Sequence, residues 1–265
     1  GDTVRLGAGV YSDTVPLVAY GLPRQALLLL DKAVTVVGAG RDQTVLSALP
    51  SAVYTFGIAG VGVDSSAAVS DLTIAGACFQ GINLRGASPR LDRLDVVNDP
   101  TGGSSVACDL RDGSFAIVRD CLLDGGHTAL VVEFGSAGRF VRCTIGARPN
   151  DGLICNDGSP VLEDCVFAGA GRDVLVLTQG SQPVLRACRI ADGGAHAVRV
   201  ALYPAGSRID LSGNRWFSDD PAVIRARIRD ATVDPALGAT VVIEPFDDSV
   251  PARTRGLGDL KALFR

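Results

Sequence analysis

Two apolar columns recur through this sequence at intervals near 22 residues, and that period leaves few folds open to it. The segments that begin at Val69, Arg90, Phe115, Arg139, Pro160, Pro183 and Ser207 superimpose. One column then reads Leu72, Leu94, Cys121, Cys143, Cys165, Cys188 and Leu211, with steps of 22, 27, 22, 22, 23 and 23 residues. Two residues on, a second column reads Ile74, Val96, Leu123, Ile145, Phe167 and Ile190. An offset of two is the strand period, so both columns face one side of a strand. The same rows hold another strand, with Ile82 and Leu84, Leu130 and Val132, Leu153 and Cys155, Leu175 and Leu177, and Val198 and Val200. Gly-Ser pairs close it at Gly113-Ser114, Gly135-Ser136, Gly158-Ser159, Gly180-Ser181 and Gly206-Ser207, where glycine permits the positive φ of a sharp corner.

Strands of three to five residues cannot bury an inward face alone. Stacked at about 4.8 Å, they turn each column into a ladder and make one core. The Leu/Asn consensus of a leucine-rich repeat is absent, and a β-sandwich has no fixed period. The fold class is therefore all-β: a single-stranded, right-handed parallel β-helix solenoid. Four of the seven cysteines occupy one inward column, which predicts buried free thiols. No CxxC or Cys/His ligand spacing points to a metal.

Twenty-five basic against 29 acidic residues give a net charge of −4, which argues against nucleic acid as a partner. No apolar run approaches the length of a membrane span, so membrane insertion is not expected. Lys32 and Lys261 are the only lysines. The opening Gly1-Asp2-Thr3, without an initiator Met, reads as a mature or trimmed fragment.

A solenoid must also hide its terminal edges. Asp220 is placed to cap a helix whose first residue is Pro221 and which is expected to run through Ala222 to Ile228. A turn at Asp234 to Gly238 and a last strand from Thr240 to Ile243 would follow, with Trp216 belonging to this cap. The expected organisation is one β-helix domain over 1–246, its C-terminal cap over 209–246, and a charged tail or linker over 247–265.

The opening GDTVRLGAGVY and ALLLLDKAVTVVGAGRDQTVL resemble the first turns of bacterial β-helix proteins of the pectin-lyase-like superfamily. The closing GNRWFSDDPAVIRARIRDATVDPALGATVVIEPF is similar to the cap of its NosD-like, periplasmic copper-binding branch. The resemblance implies an extracytoplasmic location, in the periplasm or at the cell surface. It does not imply one function, because the superfamily hosts lyases, hydrolases, epimerases, adhesins and binding modules. The pectin-hydrolase set of Asn-Thr-Asp, paired aspartates, Gly-His-Gly and Arg-x-Lys is missing as a set, and the epimerase Asp-Pro-His-Asp is absent. Without Met and with two His, copper handling has little support.

Outward residues that recur at the row period are the candidates for chemistry. Gln80, Thr128, Asp151, Asp173 and His196 form one such column. Asp151 and Asp173, one rung apart, would repel each other, and could bind Ca²⁺ or flank a sugar bond. Arg172 and Arg199 lie near enough to neutralise a uronate carboxylate. Asn83, Arg85, Glu133 and Asn156 occupy outward strand positions as candidate ligand contacts, while Arg85 and Arg111 also read as plain surface charges. The bland alternative places Asp151 and Asp173 at turns, bonded to their own backbone, and leaves His127 and His196 as unrelated surface histidines. The candidate catalytic group is thus Asp151, Asp173, Arg172 and His196, with Asp151 and Asp173 the metal candidates. Three functions remain open: a non-catalytic module binding an extended polysaccharide or a protein partner, a polysaccharide lyase or hydrolase, and a structural spacer.

Overall fold

The computed structural model describes residues 1–48, 54–76, 79–98, 105–146 and 150–246. Within them the chain winds as a solenoid whose rungs pair in parallel. One sheet of 15 strands contains the two inward columns, and a second sheet of 10 strands faces it. The register confirms the ladders: Val96 pairs with Ile74 and Leu123, Leu123 with Ile145, Ile145 with Phe167, and Phe167 with Ile190. All of them are buried in one continuous apolar core.

Six strands of the second sheet carry the site, and they are labelled here in chain order: β1 (Gln80–Arg85), β2 (Val106–Arg111), β3 (Thr128–Glu133), β4 (Asp151–Asn156), β5 (Asp173–Thr178) and β6 (His196–Ala201). Their inward pairs follow the expected column, with one rung added. Cys108 and Leu110 of β2 stack between Ile82/Leu84 and Leu130/Val132. The second residue of these strands is small or apolar and also points inward: Ala107, Ala129, Val174 and Ala197 join the core. At the equivalent Gly81, an added Cβ would lie 2.2 Å from Cγ1 of Val96. Two consecutive inward residues kink the strand, so its first, fourth and sixth residues share the outer face.

The six described cysteines, Cys108, Cys121, Cys143, Cys155, Cys165 and Cys188, are free and buried. The thiols of Cys143, Cys165 and Cys188 each donate to a carbonyl of the preceding rung, at 3.5, 3.5 and 3.4 Å. The column ends differently from the expectation. Arg215 pairs with Arg189, so Asn214, not Leu211, follows Cys188, and its Oδ1 accepts from the Cys188 N–H at 2.8 Å. Trp216 is the last member of the neighbouring column, stacked on Ile190, rather than a cap residue.

The C-terminal helix forms where expected but is short, α1 (Pro221–Arg225), with the Asp220 side chain accepting from Ala222 N–H at 2.8 Å. Ile228, expected in the helix, instead starts a strand that pairs with β6. Ala239–Val242 pairs with Ser207–Asp210 in a separate two-stranded sheet. The proposed tail, 247–265, lies outside the described residues.

At the other end, Val15–Ala19 and Leu22–Leu30 form an antiparallel hairpin. Its turn residues Tyr20 and Gly21 both have positive φ, at 56° and 69°, as a two-residue type I′ turn requires. The tip curls over the outer face of the second sheet. There Tyr20 packs against Phe56 and, edge-on, Phe79, with centroids 6.5 and 6.2 Å away.

Candidate functional site

The outer face of β1–β6 gathers most of the expected site residues into two clusters. The first is built on β4–β6. In register, Thr128 pairs with Asp151 and Asp173 pairs with His196. Asp151 and Asp173 are buried although they face outward. Neither is bonded as a turn aspartate, and they do not stand as a bare repelling pair. Arg172 lies between them: its Nε donates to Asp151 at 2.9 Å, its Nη2 forms an ion pair with the other Asp151 oxygen, and Nε is 3.8 Å from Asp173. Asp173 in turn accepts from Arg199 Nε at 2.6 Å and meets His196 Nδ1 at 2.8 Å. The guanidinium of Arg172 is held above its ordinary pKa chiefly by its hydrogen bonds to Asp151.

This arrangement corrects two expectations. Burial without compensation would be costly for either carboxylate, and the arginines supply the compensation. An arginine between the two aspartates also takes the place a Ca²⁺ ion would need, and among the described residues no cluster of three or more His, Cys, Asp or Glu could hold a metal. The two histidines remain apart: His127 contacts Asn150 rather than His196.

The second cluster spans β1–β4 beneath the hairpin tip. Asp109 Oδ2 accepts from Gln80 Nε2 at 2.5 Å and from Arg111 Nε at 2.7 Å. Asn83 donates to Gln80 Oε1 at 2.6 Å and to the Tyr20 hydroxyl at 2.9 Å. Arg111 also forms an ion pair with Glu133, and Asn156 Nδ2 donates to Glu133 Oε2 at 3.4 Å. Arg85 stacks over the Tyr20 ring at 4.5 Å and pairs with Asp112 at 2.7 Å, so it is neither a free surface charge nor a free ligand contact. Asn83 and Glu133, expected on an open surface, are buried.

Burial dominates the electrostatics of this cluster. It pushes the Asp109 carboxyl up to about 6, against the opposing pull of Arg111 and Gln80. Burial also raises the Tyr20 hydroxyl, helped by the charge of Asp109. Sequence reasoning missed both residues. Asp109 had a signal, because Cys108-Asp109-Leu110-Arg111 repeats the in-out pattern of Ile82-Asn83-Leu84-Arg85. Tyr20 had none, since the strand order alone does not say where a hairpin tip folds.

Residues 57–215 match a family model described as the right handed beta helix region. The chain belongs to the right-handed β-helix family. Several solved structures share the fold of this β-helix. The A-module of the mannuronan C-5 epimerase AlgE4 of Azotobacter vinelandii aligns over 81% of this chain and 79% of its own, with 17% identity and a TM-score of 0.50. Pectate lyase Pel9A aligns over 96% and 73%, with 12% identity and a TM-score of 0.55. ORF18 of Geobacillus virus E2 aligns over 90% of this chain and 52% of its own, with 12% identity and a TM-score of 0.58. Identities this low speak for the fold alone. A search of curated proteins returns no match. No helix among the described residues of the β-helix is long and apolar enough to cross a membrane.

Proposed function

We propose that this chain is a non-catalytic β-helix module that binds an extended acidic polysaccharide along the outer face of β1–β6, at the bacterial cell envelope outside the cytoplasm. The observation that carries this reading is the pair of part-exposed guanidiniums, Arg172 and Arg199, one rung apart and each oriented by a buried aspartate. Asp151 engages one edge of Arg172, and Asp173 engages only Nε of Arg199. The remaining N–H groups are donors for sugar hydroxyls and uronate carboxylates. Rungs about 4.8 Å apart offer such donors at intervals comparable to the rise of one sugar in an extended chain.

The same geometry favours binding over a lyase or hydrolase. Each carboxylate is already held by a cation, so neither stands free as base or nucleophile. Two proteins of similar fold are named for mannuronan and pectate, both uronate polymers, which suits this class of ligand. The charged ladder supports a polysaccharide more directly than a protein partner, whose interface would centre on apolar anchors.

Affinity electrophoresis through gels containing polymannuronate, polygalacturonate or a neutral glucan tests the reading. Retardation by the acidic polymers, lost in Arg172→Ala/Arg199→Ala, is the expected result. A parallel assay for unsaturated or reducing ends, with and without Ca²⁺, is expected to stay flat. Retardation by none of the polymers would overturn binding, and product formation would overturn its non-catalytic character.

A further inference from the structure

The two clusters on this face have opposite hydrogen-bonding character. At the β4–β6 end the groups left over are donors. At the β1–β4 end they are acceptors: Asp109 Oδ1, Glu133 Oε1 and Asn156 Oδ1 are all buried without a hydrogen-bond partner. The Arg111 guanidinium touches Glu133 Oε1 as an ion pair, without hydrogen-bond alignment. These oxygens lie on three successive rungs, β2, β3 and β4, and each lacks a donor that burial makes expensive to forgo. Charge points the same way. The carboxylates Asp109, Asp112 and Glu133 outnumber the guanidiniums Arg85 and Arg111 by three to two, leaving one negative charge in excess.

We propose that this acceptor end takes the protonated primary amine of an amino sugar within the bound glycan. The proposal rests on the glycan-binding reading and names a second component of its ligand. An ammonium group carries three donors and one positive charge, the complement of three donorless oxygens and one excess negative charge. The surroundings suit a sugar better than a bare cation. The Tyr20 and Phe134 rings flank Arg111 at 5.4 and 5.8 Å, and Phe134 is half exposed. Such rings can stack on the apolar face of a pyranose. A metal ion would instead have to sit beside the Arg111 guanidinium, which already touches both carboxylates.

The test compares two fluorescently labelled β-1,4-linked oligosaccharides of equal length by anisotropy, near pH 6.5. One carries free glucosamine amines and the other is fully N-acetylated. The amine oligomer is expected to bind at least tenfold more tightly. Asp109→Asn and Glu133→Gln should each remove most of that difference while leaving polyuronate retardation in place, and Arg172→Ala/Arg199→Ala should do the reverse. Equal affinities of the two oligomers would overturn the amine assignment. So would a preference that survives both carboxylate variants, which would reflect the general negative charge, or displacement of the oligomer by Ca²⁺ but not by Mg²⁺, which would mark a metal site. Failure of polyuronate retardation alone would instead count against the arginine end, so the two readings fail separately.

Discussion

Asp71, Arg93, Asp120, Arg142, Asp164 and Ala187 each stand one residue before the Leu/Cys column, and each has φ between 51° and 61°. Aspartate tolerates this left-handed region better than most residues, and arginine does so at a cost. Neighbouring corners are clamped by ion pairs, Asp71 to Arg93 and Asp120 to Arg142. Those pairs are largely exposed and contribute modestly, but they repeat along the corner. The thiols behind the corner are a matter of burial. Burial pushes Cys108 and Cys155 upward, which keeps both protonated and unreactive. Iodoacetamide treatment followed by peptide mass mapping should leave all six described cysteines unmodified in the native protein and modify them in urea. Asp109 makes a pH-dependent case. Its folded value of about 6 lies above the ordinary aspartate value of about 4, so the folded state holds the proton more tightly. The stability this brings is complete below about pH 4 and is lost as pH rises through about 6. Asp109→Asn has no such proton, so its advantage over the parent should grow across that window to at most about 3 kcal/mol. Urea unfolding of both proteins at about pH 4 and about pH 7.5 measures it.

Among the strands, β5 shows how an element can be read correctly while its chemistry is misread. The sequence implies repulsion between Asp151 and Asp173 and therefore a gain on removing Asp173. In the fold, Asp173 compensates Arg199 and orients His196, with Arg172 close by. Asp173→Ala should therefore destabilise by about 2 kcal/mol, because it strands part-buried cations, and a lower urea midpoint would show it. The inward columns were legible because a 22-residue period survives every rung and core positions admit only apolar residues. The β2 rung was not, since the stretch between Asn98 and Val106 stretches one step to 27 residues and breaks the alignment. The site was half legible. Asp151, Asp173, Arg172, His196 and Arg199 could be grouped by register, yet which charge meets which depends on side-chain reach. Asp109 and Tyr20 required the hairpin to be placed.

As a whole, the molecule is one continuous core threaded through stacked rungs, with the C-terminal strands of the cap laid on its end. In such a stack a defect in one rung is felt by both neighbours. Cys165→Asp places a charge in the middle of the thiol column and should abolish cooperative unfolding, visible as loss of the thermal transition by circular dichroism. The account's central claim, though, concerns the outer face of the second sheet. Isothermal titration of polygalacturonate oligomers against the parent and Arg172→Ala/Arg199→Ala, with matched dichroism spectra, tests it most directly. The account expects saturable binding by the parent and at least a tenfold loss in the variant. Equal affinities in two equally folded proteins would contradict it, and would move the binding surface off this face.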